Sequence, residues 1–133
     1  MIHLVTGGSG SGKSAYAEQC ILDFGGTRRV YIATMQPFGA EGQARIARHR
    51  KMRAAKKFST IECYTNLKEV ELEPGSDVLL ECMSNLTANE IFDPSGAGKA
   101  RTEEEILAGV SRLANQARNL VLVTRNFFGR IPI

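Results

Sequence analysis

The hydrophobic pattern of this chain switches several times between a strand-like and a helix-like period. Ile2-His3-Leu4-Val5-Thr6 is a short apolar run broken by one polar residue, and it ends in glycines. It reads as a strand. Ser14 to Phe24 has helical composition, with Ala15, Ala17, Ile21 and Leu22 available for burial, and Gly25-Gly26 stops it. Val30-Tyr31-Ile32-Ala33, β-branched and aromatic, predicts a second strand. Glu41 to about Lys56 predicts a helix whose clearest apolar residue is Ile46, so most of its surface is expected to face solvent or ligand. A shorter extended piece follows at Thr60-Ile61-Glu62-Cys63, then a turn at Pro74-Gly75-Ser76 and a strong strand at Asp77 to Cys82. A helical piece near Leu86 to Phe92 gives way to the loop DPSGAGKAR. The run TEEE at Thr102 to Glu105 predicts a helix opened by a capping box, and Ile106, Leu107, Val110, Leu113 and Ala117 repeat at a 3.6 period behind it. Leu120 to Thr124 is a last apolar strand. Strands that are continuous apolar runs and alternate with helices predict an α/β fold, a mainly parallel sheet with helices on both faces.

Composition changes this picture little. A chain of 133 residues, 43% hydrophobic and 23% charged, is most simply one globular domain over residues 1–133. No apolar run approaches the roughly 20 residues that span a bilayer, and MIHLVTGG lacks the basic start and long apolar core of a secretory signal. Cys20, Cys63 and Cys82 are odd in number and lack CxxC spacing, which suits reduced thiols. A cytoplasmic protein without a membrane partner is therefore expected.

Charge adds more. Between Gly42 and Ile61 there is no Asp or Glu, yet Arg45, Arg48, Arg50, Lys51, Arg53, Lys56 and Lys57 fall there. Such a block can be a solvated helix face, a nucleic-acid patch or the lining of a site for a small anion. The chain carries no stacking-aromatic platform or recognition motif of the usual kinds, so nucleic acid is not expected as a partner.

The stretch GGSGSGKS, Gly7, Gly8, Ser9, Gly10, Ser11, Gly12, Lys13 and Ser14, satisfies G-x-x-x-x-G-K-[ST] in full. Glycines let backbone N–H groups turn toward phosphate oxygens where a Cβ would obstruct them. The helix that begins at Ser14 offers unpaired N–H groups and the positive end of its dipole. Lys13 can reach the β- and γ-phosphates, and the Ser14 hydroxyl can ligate Mg²⁺. The loop follows a strand and opens a helix, which is the context the chemistry requires. This predicts a P-loop NTPase-like fold with a nucleoside triphosphate site. Such sites usually draw on an acidic residue from the end of another strand. Glu81, at the carboxyl end of the Val78-Leu79-Leu80 strand, stands where ligands of parallel sheets sit.

His49 lies in ARIARHRKMR; on a helix it shares one face with Arg45 and Arg53. The same arginines would collect phosphates. An exposed helical histidine without a chemical role fits the spacing equally. His3, in the first strand, reads as structural.

Taken together, GGSGSGKSAYAE, YIATMQ, RIxxHRxxR and LLECxSNLxxNExF, in that order, resemble the bifunctional adenosylcobinamide kinase / adenosylcobinamide-phosphate guanylyltransferase family of cobalamin biosynthesis. The resemblance runs from Met1 to about Thr124. It implies a kinase step that phosphorylates the aminopropanol hydroxyl of adenosylcobinamide with ATP or GTP, and a transfer of GMP from GTP to adenosylcobinamide phosphate through a guanylylated histidine. By resemblance His49 is that nucleophile. The loop chemistry gives Lys13 the transferred phosphate and, with Glu81 at its strand end, gives Ser14 Mg²⁺. Which of Glu62 and Glu81 meets guanine and which meets the metal stays open. The resemblance also implies nucleotide contacts from Gly7 to Ser14, from Ala33, Thr34 and Met35, from Arg50, Lys51, Met52 and Arg53, and from Glu62 and Glu81. Assembly as a homo-oligomer comes with it. The chain departs from the family pattern at Gly10, where an arginine is frequent, and at Glu81, where many members have Asp. After VLVT it reads RNFFGRIPI instead of an Asn-Glu pair and further helices. A shortened chain would expose apolar surface such as Phe127 and Phe128. A single-activity P-loop kinase and a silent nucleotide binder are the other readings the residues allow.

Overall fold

A computed structural model of the protein describes residues 1–7, 12–36 and 39–125. The elements run β1 (Ile2–Gly7), α1 (Lys13–Asp23), β2 (Arg28–Ala33), α2 (Gly39–Ala55), β3 (Phe58–Glu62), a 3₁₀ turn (Leu67–Glu69), β4 (Ser76–Glu81), α3 (Met83–Phe92), α4 (Thr102–Gln116) and β5 (Asn119–Arg125). The strands form one five-stranded sheet in the order β1-β5-β4-β2-β3, parallel at every pairing. This is the predicted α/β architecture.

The continuous apolar strands divide by alternation between two cores, as the pleat requires. Val30, Ile32, Val78, Leu80, Leu120 and Leu122 point to the face covered by α3, α4 and the 3₁₀ turn, where Leu67, Leu86, Ile106 and Leu113 meet them. Tyr31, Leu79, Val121 and Val123 point the other way, onto Ala17 and Ile21 of α1 and onto Phe58. Leu79, Leu80, Val78, Val121 and Val123 are fully buried, consistent with central strands covered on both sides. Because α1 follows β1 onto one face and α3 follows β4 onto the other, a crevice opens beyond the carboxyl ends of the strands.

Two local expectations are corrected, at the starts of α4 and α3. Thr102 does not cap α4 through a capping box. The N-cap is Arg101, without a side-chain cap; Thr102 Oγ1 donates instead to the Gly98 carbonyl at 2.7 Å. Glu105 is drawn away from the helix start by Lys68, 2.7 Å off in the 3₁₀ turn, and by Arg101 at 3.1 Å, and the Lys68 hydrogen bond holds its carboxyl below the usual carboxylate range. Helix α3 begins at Met83, earlier than Leu86, because Cys82 Sγ accepts from the Asn85 N–H and acts as the cap. Helix α2 contains one buried residue, and it is Arg53; Ile46 is only half-buried.

Candidate active site

The strand register sets the floor of the site. Ala33 pairs with Glu81 on one side and with Glu62 on the other, and Glu81 pairs with Val123. Residues in one such row share a face, and Val123 and Ala33 pack in the α1-side core. Both glutamates are thus presented at the carboxyl edge on the face that carries α1 and α2.

At the mouth of the phosphate loop, Gly12 takes φ 81°, a left-handed conformation that favours glycine, and its carbonyl accepts the Tyr16 N–H at 3.1 Å. Lys13 and Ser14 therefore occupy the first turn of α1, where the positive end of the helix dipole favours an anion. Ser14 Oγ donates to Glu81 Oε2. The other carboxylate oxygen, Oε1, accepts from the Tyr31 hydroxyl at 2.9 Å. Burial, and then the charge of Glu81, raise the Tyr31 phenol above its ordinary range, so it remains a donor. The Arg53 guanidinium lies 3.6 Å from the centroid of the Tyr31 ring. Arg53 is 5% exposed, and its Nε has no hydrogen-bond partner among the described residues.

His49, one turn before Arg53 on α2, faces the start of α1 across a cleft of about 130 Å³ lined also by Lys13, Tyr31, Ala33, Met35, Arg45, Arg53, Glu81, Cys82 and Asn85. An adjoining hollow of about 250 Å³ shares Tyr31, His49, Arg53 and Glu81 and adds Ser14, Ala15, Glu18, Met52 and Lys56. Lys56 bridges to Glu18 at 2.6 Å, which ties the end of α2 to α1.

Of the residues expected at the site, Lys13, Ser14, Ala33, Met35, His49, Met52, Arg53 and Glu81 line these two hollows. Thr34 is fully buried behind them. Its hydroxyl shares its one proton between the Cys82 and Glu81 carbonyls, at 2.9 and 3.0 Å, and accepts the Cys82 N–H at 2.8 Å, so its side chain braces the backbone that bears Glu81. Asn89 adds a bond to the Thr34 carbonyl at 2.8 Å. Arg50 and Glu62 form an ion pair with each other at the end of β3, and neither lines the two hollows. Lys51 is exposed on α2. Gly7 ends β1, and Gly8, Ser9, Gly10 and Ser11 lie outside the described residues, as do Phe127 and Phe128. Tyr31 was not among the expected residues. Its strand was legible, but nothing local says that β2 lies beside β4.

The Ser14 hydroxyl and the Glu81 carboxylate are hard oxygen donors already in contact, a set that suits Mg²⁺, which takes few protein carboxylates and completes its shell with phosphate oxygens and water. Among the described residues no three His, Cys, Asp or Glu gather as a metal cluster. Among them, too, no helix is long and apolar enough to cross a membrane.

Comparison with known proteins bears on this geometry. The family model described as cobinamide kinase / cobinamide phosphate guanyltransferase matches residues 3–131. The bifunctional adenosylcobalamin biosynthesis protein CobU of Escherichia coli (strain K12) is 40% identical over 99 residues, covering 72% of this chain and 53% of that protein. The protein of the same name from Salmonella typhimurium (strain LT2) is 39% identical over 99 residues, with the same two shares. The chain thus spans about half the length of these curated relatives.

Proposed function

Since this chain belongs to the cobinamide kinase / cobinamide phosphate guanyltransferase family, we propose that its cleft carries out both reactions that this name describes. The first moves a phosphoryl group from ATP or GTP to the hydroxyl of adenosylcobinamide. The second moves GMP from GTP to adenosylcobinamide phosphate, giving adenosylcobinamide-GDP. In this reading residues 1–133 act as one nucleotide-binding domain. The observation that carries it is the meeting of Lys13, Glu81, His49 and Arg53 around one cleft beyond the carboxyl ends of the strands. A phosphate loop by itself would serve many kinases. A histidine opposite it, on a separate basic helix, is what a covalent nucleotidyl relay needs.

In the phosphoryl step the cobinamide oxygen attacks the γ-phosphorus and the bond to the β-phosphate oxygen breaks. Lys13 and the N–H groups of the loop hold the charge on the β- and γ-oxygens. Mg²⁺, when held with the nucleotide by Ser14 and Glu81, supplies further neutralisation of phosphate charge. In the guanylyl step a ring nitrogen of His49 attacks the α-phosphorus of GTP, the bond to the β-phosphate oxygen breaks, and pyrophosphate leaves. Arg45 and Arg53 flank the ring and offset the charge that builds on the α-phosphate. A phosphate oxygen of the cobinamide phosphate then attacks the same phosphorus, the phosphorus–nitrogen bond breaks, and His49 is regenerated.

The test is incubation of the purified protein with Mg²⁺ and α-labelled GTP, followed by a denaturing gel. An acid-labile, alkali-stable label is expected, absent in His49→Ala, while His49→Ala still phosphorylates adenosylcobinamide. Lys13→Ala should lower phosphoryl transfer by about a hundredfold or more. Folded protein that binds GTP and takes up no label would refute the relay.

A further inference from the structure

We propose that Tyr31 is the positioning residue of this site: its hydroxyl sets the Glu81 carboxylate toward Ser14 while its ring seats Arg53, so that one buried side chain holds the start of α1 and the histidine-bearing helix in a common geometry. The proposal rests on the reading of the cleft as a nucleotide site and assigns a role to a residue outside the phosphate-loop and basic-helix motifs.

Tyr31 is 6% exposed in β2, a strand flanked on both sides, so its ring has little room to move. The two oxygens of a carboxylate are chemically equivalent, and a glutamate has three side-chain torsions through which to exchange them. A single donor on a fixed ring removes that equivalence. With Oε1 bound to the phenol at 2.9 Å, Oε2 is the oxygen turned toward Ser14. The burial that keeps the phenol protonated keeps this donor in place across the physiological range.

The ring does separate work. A guanidinium 5% exposed and, among the described residues, without a hydrogen bond at Nε is an uncomfortable group in a folded chain. The face of an aromatic ring at 3.6 Å offsets part of that cost by a cation–π contact. Arg53 is four residues after His49, so a seat for Arg53 fixes the turn of α2 on which the histidine faces the cleft. A tyrosine that merely filled the core would need only its ring.

The experiment compares the parent protein with Tyr31→Phe, which keeps the ring and the seat of Arg53 and deletes the donor. Binding of a fluorescent GTP analogue is titrated at a series of Mg²⁺ concentrations, a readout that needs no turnover. Affinity without Mg²⁺ is expected to stay within about twofold of the parent. The Mg²⁺ concentration that half-saturates the gain in affinity is expected to rise about fivefold or more, as a bond to a charged acceptor is lost. In a Glu81→Gln background the same substitution is expected to change little, because its effect passes through the carboxylate. Tyr31→Leu is expected to weaken Mg²⁺-free binding as well, since Arg53 loses its seat; Tyr31→Phe and Glu81→Gln, both near-isosteric, decide the matter should that larger change unfold the chain. An unchanged Mg²⁺ response in Tyr31→Phe, or an equal loss with and without the Glu81 carboxylate, overturns the role of Tyr31. Parent protein that binds no nucleotide at any Mg²⁺ concentration overturns the nucleotide site, and this proposal with it.

Discussion

Arg53 carries its positive charge almost fully buried, with an aromatic ring beneath it and, among the described residues, no hydrogen bond at Nε. Removing a charge from water without a paired carboxylate costs stability, and such costs cluster where a ligand will supply the missing partner. Arg53→Met is therefore expected to leave the urea midpoint unchanged or higher while lowering GTP affinity about tenfold, the value of a charge-assisted bond to phosphate. A large loss of stability with unaltered affinity would make Arg53 structural. Cys63 poses a different question at the same scale. Burial, and then the charge of Glu90, push its thiol from 9.0 up to about 11. The folded state thus favours the protonated form. Its contribution is fully present below the unfolded value and is lost as pH rises through the folded one. The unfolding free energy should decline between pH 9 and about 11, and Cys63→Ala should show a shallower decline over the same window. Matching slopes would mean that the thiol is not held back by its surroundings.

At the scale of elements, the contact between α4 and the 3₁₀ turn is tight at one position. A Cβ on Gly109 would stand 2.8 Å from Leu67 Cβ and 3.0 Å from its Cγ, and Leu67 is 2% exposed. Gly109→Ala would gain about 1 kcal/mol of helix propensity against about 1–3 kcal/mol of overpacking. A net loss of about 1 kcal/mol is expected from thermal unfolding. In a Leu67→Ala background the same change should become neutral or stabilising, and a loss there as large as in the parent would show that the clash is elsewhere. Helix α4 was legible from its 3.6 period, because its apolar stripe is local information. It opens at Thr102 as the sequence predicts, but without the capping box, because Lys68, distant in sequence, recruits the glutamate that such a box would use. Helix α2 ends where Lys57 adopts φ 63°, a position at which the sequence offers no glycine to announce it.

For the molecule as a whole, the sheet order leaves β1 at one edge, with β5 as its strand partner among the described residues. Ile2 is 51% and Leu4 63% exposed on that strand. Apolar edge strands favour association between copies. Leu4→Lys is expected to reduce concentration-dependent light scattering with little change in the unfolding midpoint, and scattering that persists unchanged would place the association elsewhere.

The strands, the G-x-x-x-x-G-K-S run ending in Lys13 and Ser14, the acidic end of β4 and the shared helical spacing of Arg45, His49 and Arg53 were all legible in the chain alone. Each of these is encoded within a few consecutive residues, by a period or a fixed spacing. Only the tertiary structure decided that β2 lies against β4, which brings Tyr31 onto Glu81. It also decided that Arg50 and Glu62 pair with each other while Arg53 is the buried cation, and that Thr34 braces the backbone beside Glu81. The physical reason is that parallel strands carry no local mark of their neighbours. Their order is set by how the crossover helices bury their apolar faces, and the partners of a strand-end side chain follow from that order.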